Sequence, residues 1–329
     1  MTRTVTRGLR ASLSIAIVGA LILFARKVDW DATWGSILGA DLRVLTLAAI
    51  VNLASLVLKG IRWWVFLRPV GAPSLGLALR ATFAGAGLNN ILVANGGEAA
   101  RVVFVSRATG VPSSKVLATL ALERLFEFIG YVVLLAFAAS FLELPSAVER
   151  FRPIAWLGLL GLVALWMYLI RRPEHIEEIV APGRGWWKST RQYGERFLKT
   201  MGGISTGPRF SIALILSIGS WALQLWTYAL TARAAGFDLT QVGTVTAILA
   251  VNLGFALRAT PGGVGVFQAL YATTAVAFGM SKDQAIAVAL LIQTQQILPV
   301  TLIGIALAPE FIFKRRRPLG VDRALDSGV

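Results

Sequence analysis

Apolar residues along this chain fill long blocks, and Arg and Lys collect in the short polar intervals between them. Blocks of about 20 apolar residues are what a lipid-embedded helix needs. The pattern predicts helices over residues 11–25, 44–61, 115–140, 154–170, 210–232 and 284–308. Two further blocks are broken. Residues 75–94, rich in Gly and Ala, run into Asn95-Gly96-Gly97 and continue as a short segment over 98–108. Residues 242–257 and 264–277 flank Arg258 and Thr260-Pro261-Gly262-Gly263-Val264-Gly265. Such breaks free backbone N–H and C=O groups that lipid cannot satisfy, so each is expected to sit within protein or against a watery cavity. The predicted fold class is an all-α polytopic membrane protein, with about six full transmembrane helices and two re-entrant helical hairpins.

Flanking charge adds direction, because cytoplasmic loops of membrane proteins are enriched in Lys and Arg. Arg3, Arg7 and Arg10 precede the first block, which reads as a signal anchor. Lys59, Arg62 and Arg68, with Trp63 and Trp64, mark a cytoplasmic interface at the end of the second. Residues 171–208 form a basic cytoplasmic loop, and Lys314-Arg315-Arg316-Arg317 follow the last block. Residues 26–43 balance Arg26, Lys27 and Arg43 against Asp29, Asp31 and Asp41 and read as an outer loop. Both termini are thus expected on the cytoplasmic side of the cell membrane. The first hairpin would enter from the cytoplasm and the second from outside, the inverted arrangement from which secondary transporters build a midplane site. The whole is one transmembrane domain, with halves at 11–170 and 209–313 around the basic loop.

Composition narrows the chemistry. Mean hydropathy is +0.69 and net charge +15, but the bases sit beside apolar blocks, so topology and an acidic lipid surface account for them without nucleic acid. No cysteine and a single histidine, His175, argue against thiol chemistry, disulfides and the usual zinc sites. The Pro261 to Gly265 turn lacks a following Walker lysine and a preceding strand, so no cofactor is expected.

Charges inside apolar blocks are expensive and point to function. Glu98 and Arg101, three apart after the first break, are helix neighbours beside backbone amides that can meet an anion. Glu123, Arg124 and Glu127 share one patch of the following helix and are expected to pair with that motif across a helix interface. Asn95, Gly97, Arg258, Pro261, Gly262, Gly263 and Gly265 complete the two breaks, and Gln268 adds an uncharged hydrogen-bonding group. Gln268, Gln293, Gln295 and Gln296 serve either the cavity or the joining of helices.

Taken together, Gly96-Gly97-Glu98-x-x-Arg101, Ser106-Arg107-x-x-Gly110, Leu122-Glu123-Arg124 and Pro261-Gly262-Gly263-Val264-Gly265-Val266-Phe267 resemble the lysylphosphatidylglycerol synthase transmembrane family, a flippase-like membrane region, over roughly residues 12–313. The resemblance implies a lipid-translocating domain. It makes Glu98 and Arg101 a first-hairpin pair, Glu123 and Arg124 a central-helix pair, and Gly262, Gly263 and Gly265 the second turn. Where the family often places Glu after that turn, this chain has Gln268, which offers no titratable proton. The soluble aminoacyl-transferase domain of the full-length synthases is absent, so the expectation is a non-enzymatic mover of lipid, not a synthase.

The expected activity is a flippase for a lipid with an anionic or aminoacylated headgroup, or one linked to polyprenyl phosphate. Arg101, Arg124 and Arg258 would neutralise a phosphate, and Glu98, Glu123 and Glu127 would balance those arginines, bind a cationic headgroup or carry a coupling proton. On this reading Arg101→Ala abolishes translocation and leaves the fold intact. Expected partners are membrane lipids and a cytoplasmic lipid-modifying enzyme or glycosyltransferase. Two other classes remain open: an integral-membrane transferase with Glu98 or Glu123 as general base, and a non-catalytic scaffold docking an enzyme on residues 171–209.

Overall fold

The computed structural model describes residues 26, 28–91, 96–141, 153, 156–161, 164, 207–255, 263 and 265–313. Among these there are helices and no strand: α1 Trp30–Leu38, α2 Leu42–Leu67, α3 Leu75–Ile91, α4 Gly96–Thr109, α5 Ser113–Phe141, α6 Gly207–Ala234, α7 Gln241–Phe255, α8 Val266–Val276 and α9 Lys282–Phe313. The expected helix over 11–25, most of 154–170, the basic loop and Lys314 to Arg317 lie outside the described residues.

Among the described residues three segments are long and apolar enough to cross a membrane, Leu42–Val70, Pro208–Ala234 and Lys282–Leu307, and this is a membrane protein. Its surface is inverted relative to a soluble bundle. Leu47, Ile50, Phe128, Phe137, Ile215, Trp226, Leu302 and Ile305 are exposed, while Asn52, Arg62, Thr82, Arg101, Glu123, Ser217 and Gln295 are buried. In lipid the outward face costs nothing to leave apolar, and polar groups are stable only when they find each other inside.

Helix ends follow local chemistry. Asp41 opens α2 by accepting from the Arg43 and Val44 amides, and α2 closes through a 3-10 turn containing Pro69 and a left-handed Gly71. The expectation for residues 26–43 is corrected here. They contain α1, capped by the Asp29 carboxylate on the Asp31 and Ala32 amides, and of the acids read as balancing loop charge Asp29 and Asp41 are helix caps and Asp31 sits in the first turn of α1. Exposed Trp30, Trp34 and Leu38 lie along one side of α1, as suits a helix at the lipid–water boundary.

The short helices expected in the two hairpins are present and packed in pairs, α3 against α4 and α7 against α8. With 17 and 14 residues, α3 and α4 are about 25 and 21 Å long, and α7 and α8, with 15 and 11, about 22 and 16 Å, all short of a full bilayer. The first hairpin closes tightly: an added Cβ at Gly97 would lie 1.9 Å from the Gly85 carbonyl oxygen, and Asn89 accepts from the Gly97 amide across the break. Gly87 and Gly304 let α3 meet α9 equally closely. The second hairpin turns at Gly265, whose φ of +83° excludes most side chains.

The hairpins open at opposite ends of the bundle. Asp41 bonds the Ala234 carbonyl and Asp29 bonds Asp283, so the starts of α2 and α9 and the end of α6 share one end, where α7 begins and α8 finishes. At the other end α2 hands over to α3, and Val111, between α4 and α5, lies against Gly71. The most extensive packing joins α2 to α6 and α3 to both α4 and α9, with α9 also against α8. That framework carries the polar interior.

Candidate functional site: a polar cavity and its ion-pair wall

Arg62 is fully buried on α2, donating from Nη1 to Ser217 Oγ at 2.7 Å and from Nη2 to Glu127 Oε1 at 2.5 Å. Lys59, one turn earlier, reaches the other Glu127 oxygen at 3.6 Å. On α4, Arg101 grips Glu123 of α5 with both terminal nitrogens, at 3.3 and 2.7 Å, and adds a bond to Thr82 on α3 at 3.2 Å. Its guanidinium lies 4.0 Å from the centre of the Trp63 ring, and the Trp63 indole donates to Thr119. A buried cation thus has a carboxylate, a hydroxyl and an aromatic face, which is what makes burial tolerable. Arg124 and Glu98 form the second pair between α5 and α4.

The expected pairing across the helix interface is present, Arg101 to Glu123 and Arg124 to Glu98, whereas the same-helix pairs Glu98 with Arg101 and Glu123 with Arg124 that the resemblance implied are not formed. Residues three apart on α4 diverge enough for Arg101 to be held inside and Glu98 to stay at the rim. Arg101→Ala is therefore a test of the fold as much as of transport, contrary to the sequence expectation. α2 runs past 61 to Leu67, with Arg62 buried among its neighbours and Lys59 half-buried in the cavity lining.

Beside this wall lies a cavity of about 310 Å³, lined by Asn52, Ser55, Leu56 and Lys59 of α2, Ala86 and Asn90 of α3, Arg124 and Glu127 of α5, Gln224 and Tyr228 of α6, Asn252 of α7, and Gln296 and Val300 of α9. Asn90 and Asn252, near the ends of α3 and α7, bring both hairpins to one polar space.

Part of the lining repairs a broken helix. Pro299 in α9 has no N–H for the Gln295 carbonyl four residues before it, and Asn52 Nδ2 donates to that oxygen instead, at 3.2 Å. Asn52→Leu is expected to lower stability by about 1–3 kcal/mol by orphaning the carbonyl. Adding Pro299→Ala restores the helical bond and should recover most of the loss, read as unfolding temperatures of the single and double variants in detergent. Equal losses in both backgrounds would contradict this role.

Of the residues singled out from sequence, Arg124 and Glu127 line the cavity, whereas Glu98, Arg101 and Glu123 build its wall. Gly97 is the close contact of the first hairpin, and Gly263 and Gly265 have left-handed φ of +69° and +83° in the second turn. Gln268 is not a cavity residue: its Oε1 accepts from the Gly265 amide at 2.7 Å and its amide donates to Gln293, fixing α8 to α9. Gln295 also joins helices, accepting from Thr231, while Gln296 faces the cavity. Asn95, Arg258, Pro261 and Gly262 lie outside the described residues. Sequence reasoning missed Asn52, Ser55, Lys59, Gln224 and Asn252. A signal for the α2 residues existed: Asn52, Ser55, Lys59 and Arg62 recur at helical spacing within an otherwise apolar block, a polar stripe facing inward.

Comparison with known proteins agrees that this is a membrane protein. No solved structure matches the chain. A UPF0104 membrane protein of Pyrococcus horikoshii is 24% identical over 294 residues, covering 80% of this chain and 86% of the relative. The family model described as the lysylphosphatidylglycerol synthase TM region matches residues 11–304, and the chain belongs to that family.

Proposed function

We propose that this protein is a lipid flippase, carrying the headgroup of an anionic, aminoacylated or polyprenyl-phosphate-linked lipid through the polar cavity while the tails stay in the bilayer. The observation that supports this reading is one cavity holding Lys59, Arg124 and Glu127, set in a bundle whose outside is apolar and bounded by two broken hairpins. Discontinuous helices that meet at mid-depth from opposite ends are the way secondary transporters expose one site to each leaflet alternately. The halves then act as an inverted repeat, rocking about the wall formed by α4 and α5. On this reading the protein works in the cell membrane with cytoplasmic termini, has lipids as its partners, performs no covalent chemistry, and serves a cytoplasmic lipid-modifying enzyme or glycosyltransferase.

Leaflet exchange in proteoliposomes tests the proposal, using fluorescent anionic phospholipid, aminoacylated phospholipid and polyprenyl phosphate against protein-free vesicles. Protein-dependent exchange of at least one lipid is expected. Folded protein that exchanges none of the three, with and without an ion gradient, would contradict it.

A further inference from the structure

The cavity's charge and hydrogen-bonding pattern specify a headgroup more narrowly than the fold does. Among the described residues, the ionic cluster holds four cations, Lys59, Arg62, Arg101 and Arg124, against three carboxylates, Glu98, Glu123 and Glu127. Arg101 takes Glu123, Arg124 takes Glu98, and Arg62 takes Glu127 at 2.5 Å, leaving Lys59 at 3.6 Å from a carboxylate that already has a closer, fully buried partner. Lys59 therefore brings one net positive charge to the cavity lining. Half-buried and only partly compensated, that charge is stabilised by a single incoming negative charge.

The neutral lining has a polarity of its own. Asn52 Nδ2 donates to the Gln295 carbonyl, Asn252 Nδ2 to the Ile248 carbonyl, and Asn90 Nδ2 to both Thr301 Oγ1 and the Ile297 carbonyl. A backbone carbonyl only accepts, so these contacts fix which end of each side-chain amide is the nitrogen. Each asparagine keeps its side-chain oxygen as an acceptor, and Asn52 and Asn252 keep one N–H as well, since each uses a single hydrogen of its amide. Acceptors without charge suit hydroxyl groups, and the three asparagines, on α2, α3 and α7, line the same cavity as Lys59.

We infer that the cavity selects a hydroxyl-bearing phosphodiester headgroup of charge −1, with Lys59 binding the phosphate and Asn52, Asn90 and Asn252 accepting from the hydroxyls. This rests on the flippase reading for its place in transport, but not for its binding chemistry. A zwitterionic headgroup adds no net charge to balance Lys59. A headgroup of net charge +1 adds to the excess.

The test uses the purified full chain and lipids with identical tails carrying phosphoglycerol, phosphoinositol, phosphomethanol, phosphoethanolamine or lysyl-phosphoglycerol headgroups. Binding is measured in detergent with short-chain lipids, and exchange separately in proteoliposomes. Phosphoglycerol and phosphoinositol lipids should bind about 10-fold or more tighter than the phosphoethanolamine and lysyl forms, the effect of one charged hydrogen bond. Phosphomethanol, of equal charge but without hydroxyls, should fall between, and the two hydroxylated probes separate a glycerol from a ring-polyol preference. Lys59→Gln should erase the preference over phosphoethanolamine, and Lys59→Arg should keep it; matching elution profiles and unfolding temperatures show that both variants fold. Equal binding of all headgroups, preference for the lysyl form, or an unchanged preference in folded Lys59→Gln would overturn the inference. Selective binding without exchange would instead overturn the flippase reading and leave the headgroup assignment standing.

Discussion

Arg101→Ala is expected to lose about 3–5 kcal/mol of stability, the cost of leaving one partner of a buried ion pair uncompensated. Glu123 is 7% exposed and its two oxygens both face Arg101; Arg62, 4.0 Å away, is too distant to replace those bonds. The truncation also strips the cation from the Trp63 face and leaves Thr82 without its guanidinium partner. Replacing the pair together, Arg101→Met with Glu123→Leu, removes the orphaned charge and should return much of the loss. Denaturant or thermal unfolding of the two single variants and the double in one detergent reads the coupling. Independent, additive effects would show that the pair does not act as a unit.

Arg124→Glu is expected to cut leaflet exchange roughly 10- to 100-fold, the weight of a hydrogen bond from a charged donor to a phosphate plus repulsion from the new carboxylate. Arg124 differs from Arg101 in exposure: its side chain is 57% accessible and lines the cavity, so the fold should tolerate the change. The charge-swapped double variant, Glu98→Arg with Arg124→Glu, separates two roles. It rebuilds the bridge between α4 and α5 but moves the guanidinium to Glu98's position, which is not part of the cavity lining. Exchange in the swap should therefore stay low although unfolding matches wild type. Full recovery of exchange would mean that Arg124 serves only to hold the two helices together.

Much of the architecture was legible because lipid imposes coarse rules. Blocks of spanning length located α2, α5, α6 and α9, and the Gly-rich breaks located both hairpins, since only Gly permits the contact of Gly97 with Gly85 or the backbone at Gly265. The short α1 was not legible. Asp29 and Asp41 look like loop charge until their carboxylates are seen to cap helices. The charged residues Glu98, Arg101, Glu123, Arg124 and Glu127 stood out for their cost in lipid, and so did their pairing across the helix interface, but which acid takes which base did not, because that depends on how α4 rotates against α5. Lys59 and Arg62 were concealed by position: near the end of an apolar block, a base reads as an interface marker, and nothing in the sequence shows that both meet Glu127. Gln268 shows the converse, a polar group next to a conspicuous turn whose hydrogen bonds go into the turn itself.

The central claim, that headgroups travel through the polar cavity, is tested most directly by closing it reversibly. The chain has no cysteine, so Gln224→Cys places a single thiol in the lining and Asp238→Cys a control thiol on an exposed loop. A bulky methanethiosulfonate reagent on Gln224→Cys should stop leaflet exchange in proteoliposomes, reductant should restore it, and the same treatment of Asp238→Cys should leave the rate unchanged. Exchange that continues at the unlabelled rate with Gln224→Cys fully modified would contradict a path through the cavity.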